Sequence, residues 1–135
     1  MTIRLKKRYS ADETSDHMPY EEYDILYGRL IVGEIELTPA MNDYMYYYGH
    51  VGYHVYKPYR GHHFARSACL LLLERALIDH NMTELIITCD PDNIASIKTI
   101  EGLPNVEFIE RVDVPKDHPL YLKGEKEKLI YRVRS

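Results

Sequence analysis

Val55-Tyr56-Lys57-Pro58-Tyr59-Arg60-Gly61-His62-His63-Phe64-Ala65 carries the chain from a β-like run into its longest helical one. Upstream, Tyr46 to Val55 is rich in Tyr, Val and His, which favours a strand. Downstream, Ala65, Ala68, Cys69, Leu72, Leu73, Ala76 and Leu77 recur at the i, i+3, i+4, i+7 spacing of an amphipathic helix, and Asn81 supplies a C-terminal cap. Glu84-Leu85-Ile86-Ile87-Thr88-Cys89 is a short apolar run of the kind found in strands buried on both faces. Strand, helix and buried strand in that order predict a right-handed crossover between parallel strands. Asp92 or Asn93 then caps a short second helix that stops before Gly102.

Towards the N-terminus, Tyr23–Tyr27 and Leu30–Thr38 read as strands, and Ile3-Arg4-Leu5 as a weak edge strand. In the second of these, Gly33, Ile35 and Leu37 share one face, while Val32, Glu34 and Glu36 share the other. Asn42-Asp43 forms a loop tip, so this strand and the Tyr46–Val55 run are expected to make an antiparallel hairpin. Ser10 to Glu22 is acidic and lacks periodicity, which predicts a loop or a short irregular helix. Towards the C-terminus, Val106–Val112 and Leu129–Val133 form a closing strand pair joined by the charged loop Pro115–Lys128. One α+β domain spanning 1–135 accounts for the whole pattern.

Composition narrows the function classes. The chain has 135 residues and a net charge of -4, which speaks against a nucleic-acid partner, because phosphate backbones demand a basic face. No apolar run approaches the roughly 20 residues that span a bilayer, so no membrane role is expected. The basic start Met1–Arg8 lacks the apolar stretch of a secretory signal, so the expected location is cytoplasmic. Cys69 and Cys89 stand alone and read as buried reduced thiols. Thirteen tyrosines against two phenylalanines suit half-buried sheet faces and clefts.

The Val55–Ala65 turn has a chemical peculiarity. A helix start leaves backbone N–H groups unsatisfied, and Tyr59 to His63 contains no Ser, Thr, Asp or Asn to cap them. Either water caps these amides or an anion does. The helix dipole, Arg60, His62, His63 and Arg66 all add positive character there, and Gly61 lets the backbone bend closely about a phosphate.

This stretch resembles the CoA-binding motif of the GCN5-related N-acetyltransferase (GNAT) family, R/Q-x-x-G-x-G/A. Arg60 matches the first position and Ala65 the last, while His63 stands where the central glycine is expected and Gly61 partly replaces it. The resemblance continues into Ile87-Thr88-Cys89-Asp90-Pro91-Asp92-Asn93-Ile94-Ala95-Ser96, similar to the family's second CoA-contacting strand, loop and asparagine. It covers about Tyr48 to Glu101. It implies an α+β (α/β/α) fold: a GNAT-like mixed, mostly antiparallel sheet whose central parallel strands splay apart, with a reduced set of helices. Acetyl-CoA would be the co-substrate, its pantetheine arm on the backbone of Tyr53, His54 and Val55. Its pyrophosphate would lie on Gly61, His62, His63, Phe64 and Ala65 beside Arg60, with Asn93 and Ser96 near the pantetheine. The family normally places one or two helices between its first two strands, where this chain has only 10–22, so an open acceptor side is expected.

Acetyl transfer to an amine needs a base, an oxyanion site and a proton for the departing thiolate. Glu34 and Glu36 share one strand face and His50 and His54 a face of the next, so cross-strand Glu–His pairing offers a base, with His54 and Glu34 the leading candidates. The tyrosine that serves as the acid in many family members falls on Ile100, which is followed by Glu101. Tyr121, Tyr53 and Tyr131 are the remaining candidate donors. No metal is expected, because adjacent His62 and His63 diverge and no carboxylate or cysteine stands at ligand spacing. The reading is an acetyl-CoA-dependent N-acetyltransferase acting on an amine of a small molecule or peptide, with homodimer formation left open. Two alternatives stay open: a non-catalytic acyl-CoA-binding domain of the same fold, and a nucleotide- or phosphate-binding module.

Overall fold

Charge alternation conceals a long hairpin at the N-terminus. The computed structural model describes residues 2–12, 14 and 18–135. Its elements are β1 (Ile3–Ala11), β2 (Tyr20–Tyr27), β3 (Leu30–Leu37), β4 (Val51–Val55), α1 (Phe64–His80), β5 (Glu84–Cys89), α2 (Ile94–Glu101), β6 (Val106–Asp113), α3 (Pro119–Leu122) and β7 (Glu127–Arg134). The loop expected over 10–22 is therefore confined to its middle, since Ser10 and Ala11 belong to β1 and Tyr20 to Glu22 to β2; Glu13, Ser15, Asp16 and His17 lie outside the described residues. Charges on both faces of these strands are matched across the pair, Glu21 on the buried face and Glu22 on the other. Lys7 Nζ lies 3.1 Å from Glu21 and Arg8 Nε 3.2 Å from Glu22.

The Tyr46–Val55 run is only half strand. Met45–Tyr47 is a 3₁₀ turn, and β4 begins at Val51. The rings of Tyr44, Tyr47 and Tyr48 pack around His118, with centroids 4.7, 5.3 and 5.2 Å away. The His118 Nε2 bonds the Tyr44 carbonyl at 2.9 Å. Ring clustering about one histidine outweighs the β-preference of the individual tyrosines.

The strands form two antiparallel sheets, ordered β1-β2-β3-β4 and β5-β7-β6. The expected β3–β4 hairpin is present, with Gly33 opposite Val55 and Leu37 opposite Val51. The splay between β4 and β5 is complete: they share no ladder and touch at one vertex. There Gly49 bridges Ile87, and the His50 N–H donates to the Ile86 carbonyl at 2.8 Å. The Ile86 N–H in turn donates to His50 Nδ1 at 2.8 Å, so an imidazole replaces a backbone rung. Gly49 has φ 77, and a Cβ there would lie 2.8 Å from the Ile86 carbonyl oxygen. Only glycine permits that approach.

α1 packs its buried residues Ala68, Cys69, Leu72, Leu73 and Ala76 beneath both sheets, against Ile25, Ile35, Leu37, Leu85, Ile87 and Val133. Asn81 ends it in the left-handed conformation, its N–H bonding the carbonyls of Ala76 and Leu77. Cys69 and Cys89 are buried free thiols. Among the described residues no helix is long and apolar enough to cross a membrane.

Candidate active site

β4 is the last strand of its sheet and β5 the first of the other, so each leaves one edge unpaired on the side of the splay. Beyond the vertex a cleft of 420 Å³ opens between them. One wall is Tyr53, His54 and Val55 on β4; a second is the turn Arg60, Gly61, His63, Phe64 and Ala65; the third is Asn93, Ala95, Ser96 and Thr99. Ten of the eleven residues expected around the co-substrate line this one cleft. His62 does not; its ring packs on Phe64 with centroids 5.3 Å apart and faces the opposite side, over a cleft with Tyr27 and Leu30.

The turn before α1 is built for an anion. Its N-terminal residue, His63, adopts the left-handed conformation with φ 61 and makes no side-chain cap, and Gly61 has φ 90. The first helical bond runs from the Ser67 N–H to the His63 carbonyl at 3.1 Å, leaving the amides of Phe64, Ala65 and Arg66 without helical acceptors. His63 thus keeps the backbone shape of the glycine it replaces, at a cost of about 1–2 kcal/mol. Arg60 folds back so that its Nε donates to the Val55 carbonyl at 2.9 Å, tying the turn to the end of β4. Across the cleft, the Asn93 side chain accepts the Ser96 N–H at 3.1 Å and caps α2.

The candidate catalytic groups separate on inspection. Glu34 and His54 are direct cross-strand partners on the outer face of the sheet. The Glu34 carboxylate is held by Arg8 at 2.8 Å. Arg8 sits in the register shift of β1, and from there it also bonds Glu22 and Asp24. A bulge re-aims this side chain, which strand periodicity cannot reveal. The multiple carboxylates raise the Arg8 pKa further above its ordinary value, the Glu34 bond contributing most. Glu36, one row along and opposite Gly52, has no ion pair among the described residues. Partial desolvation, with the negative charges of Glu22 and Glu34, raises its carboxyl above the ordinary range.

Of the three candidate donors Tyr53, Tyr121 and Tyr131, Tyr53 lines the cleft, as does Tyr59 from the turn before α1. The Tyr53 hydroxyl donates to Ser96 Oγ at 3.2 Å, spanning from β4 to α2, and burial pushes it up to about 12. Tyr121 lies on α3 outside the cleft, with Lys126 Nζ 5.8 Å from its ring centroid. Tyr131 is buried and donates to Glu101 at 3.0 Å. Ile100 is fully buried in the core rather than beside the cleft, so α2 presents Ser96 and Thr99 there instead.

A sequence profile of the acetyltransferase (GNAT) domain matches residues 3–103, three quarters of the chain. The chain belongs to the GNAT acetyltransferase family. Among solved structures, this GNAT chain is similar to the microcin C7 self-immunity acetyltransferase MccE, in complex with acetyl-CoA and AMP, at TM-score 0.65 and 18% identity over 86% of this chain and 61% of that one. A GNAT-family acetyltransferase from Bacillus anthracis gives TM-score 0.65 and 15% identity over 84% and 65% of the two chains. The ribosomal L7/L12 alpha-N-protein acetyltransferase RimL, in complex with coenzyme A, gives 0.64 and 14% over 85% and 62%. The chain therefore spans less than two thirds of these proteins' length. Among curated proteins, none matches the sequence significantly.

Proposed function

We propose that the whole chain works as one acetyl-CoA-dependent N-acetyltransferase domain acting on a primary amine. The observation that carries this reading is the uncapped start of α1, which faces a cleft whose other walls are the free edge of β4 and the Asn93–Ser96 turn. Anion-seeking amides and an open strand edge suit a pyrophosphate followed by an amide-bearing arm. The GNAT domain match and neighbours solved with acetyl-CoA or coenzyme A support the same donor.

In the proposed reaction, the neutral amine nitrogen attacks the thioester carbonyl carbon. The C–N bond forms, the C–S bond breaks, and coenzyme A departs as a thiolate. The amine's proton passes to Glu36, whose raised pKa makes it a stronger base than an ordinary carboxylate. The Tyr53 hydroxyl, protonated at neutral pH, gives its proton to the thiolate and recovers one through Ser96 and solvent. His54, which lines both this cleft and the neighbouring one on the outer face, orients the amine in this reading rather than pairing with Glu34, whose carboxylate Arg8 already holds. The products are an N-acetyl amide and the free thiol.

Arg60→Glu tests the donor site. Reversing the charge beside the turn should weaken coenzyme A binding at least tenfold by calorimetry, with the folded state intact. Unchanged affinity in a folded variant would remove the proposal. The burial of Ile100 where relatives carry a tyrosine favours a second reading, an acyl-CoA-binding domain without turnover. That reading expects coenzyme A binding with no thiol release from acetyl-CoA in a mixture of amines.

A further inference from the structure

Three clefts meet along β4. The donor cleft shares Tyr53 and His54 with a second of 270 Å³ on the outer face of the sheet. The second shares Glu22, Glu36 and Gly52 with a third, of 800 Å³, whose lining includes Tyr20, Tyr44, Tyr48 and His50. Gly52 is the saddle between them. It sits opposite Glu36 in the ladder, and a Cβ built on it would meet only the Glu36 side chain, at an ordinary 3.5 Å. With no side chain at Gly52, the passage stays open.

Two side chains on this path keep polar atoms without a partner among the described residues. Glu22, Asp24 and Glu34 are engaged by Arg8, which leaves Glu36 as the one of these four carboxylates with no ion pair among the described residues. His50 is only 9% exposed. Because its Nδ1 accepts the Ile86 N–H, its proton is on Nε2, and that donor has no partner among the described residues. The side chain is largely buried, but this N–H lines the third cleft and is open to an acceptor atom of a ligand there. The surrounding tyrosine rings call for an apolar or aromatic body.

We propose that the third cleft binds the body of the acetyl acceptor. The acceptor is a primary amine carried on a ring-bearing body with an adjacent carbonyl or hydroxyl oxygen. Its amine passes Gly52 to reach Glu36, its oxygen accepts from His50 Nε2–H, and its ring lies among Tyr20, Tyr44 and Tyr48. This rests on the acetyl-transfer reading above, but its test is separable.

Acetylation is measured by thiol release with L-phenylalaninamide, with 2-phenylethylamine, which lacks the carbonyl, and with L-alaninamide, which lacks the ring. The KM for L-phenylalaninamide should be at least tenfold below that of either comparison amine. Gly52→Val, or the milder Gly52→Ala if valine perturbs folding, should raise that KM at least tenfold while coenzyme A affinity stays within twofold. Equal KM values for the three amines, or an unchanged order in the Gly52 variant, would overturn the inference. If coenzyme A binds but no amine releases thiol, the transfer reading fails instead. Direct titration of the three amines into the coenzyme A-loaded protein then decides the subsite by the same tenfold criterion.

Discussion

Tyr53 and Ile100 occupy opposite environments. Tyr53 approaches the donor cleft from β4 and bonds Ser96, whereas Ile100 turns into the core with no exposed surface. Tyr53→Phe keeps the ring and removes the proton donor. It should lower kcat by roughly ten- to a hundredfold while leaving the KM for acetyl-CoA within about twofold. A wild-type kcat in that variant would leave the thiolate's proton to water. Ile100→Tyr is expected to be an overpacking change rather than a restored acid. It should destabilise by about 1–3 kcal/mol in urea titrations and bring no gain in turnover. A faster, equally stable variant would mean that α2 can rotate its buried face towards the cleft. Arg60 and Asn93 are legible in the sequence because a turn and a helix cap are local affairs. Arg8 is not, since its three carboxylate contacts depend on a β-bulge and on residues from two other strands.

At the scale of elements, α1, β5 and α2 follow directly from period and capping, because each carries its own boundary signals. β1 and β2 do not, because their outward faces are charged and their order comes from partners across the ladder. The 3₁₀ turn at Met45–Tyr47 is likewise hidden, since its cause is His118, far along the chain. The vertex between β4 and β5 carries a prediction of its own. Burial lowers the His50 pKa from 6.5, only partly opposed by the negative charge of Glu84, and the Nδ1 that accepts the Ile86 N–H must be unprotonated. The folded state therefore favours neutral His50. Its contribution to stability is complete above about pH 6.5 and is lost as pH falls through the lower folded value. Urea midpoints between pH 8 and pH 5 should fall more steeply for the parent than for His50→Gln, whose side-chain oxygen can accept the same N–H without titrating. Parallel slopes in the two proteins would assign the acid sensitivity to other groups.

At the scale of the whole molecule, the chain covers 61–65% of the three neighbours compared. Residues 12–19 separate β1 from β2. The outer face of the four-stranded sheet carries Glu34, Glu36 and His54 along it. The two sheets are joined at their edges by very little: one bridge at Gly49, the paired bonds of His50 with Ile86, and the Thr88 hydroxyl on the carbonyls of Tyr47 and Tyr48. Mechanically this is a pair of levers with a single fulcrum. The five residues of β4 make an arm of about 16 Å, so a rotation of about 5° at Gly49 shifts the mouth of the cleft by about 1.4 Å. Aperture is thus set far from where it is felt, and a methyl group added at Gly49 would be read out at the opposite end of the strand.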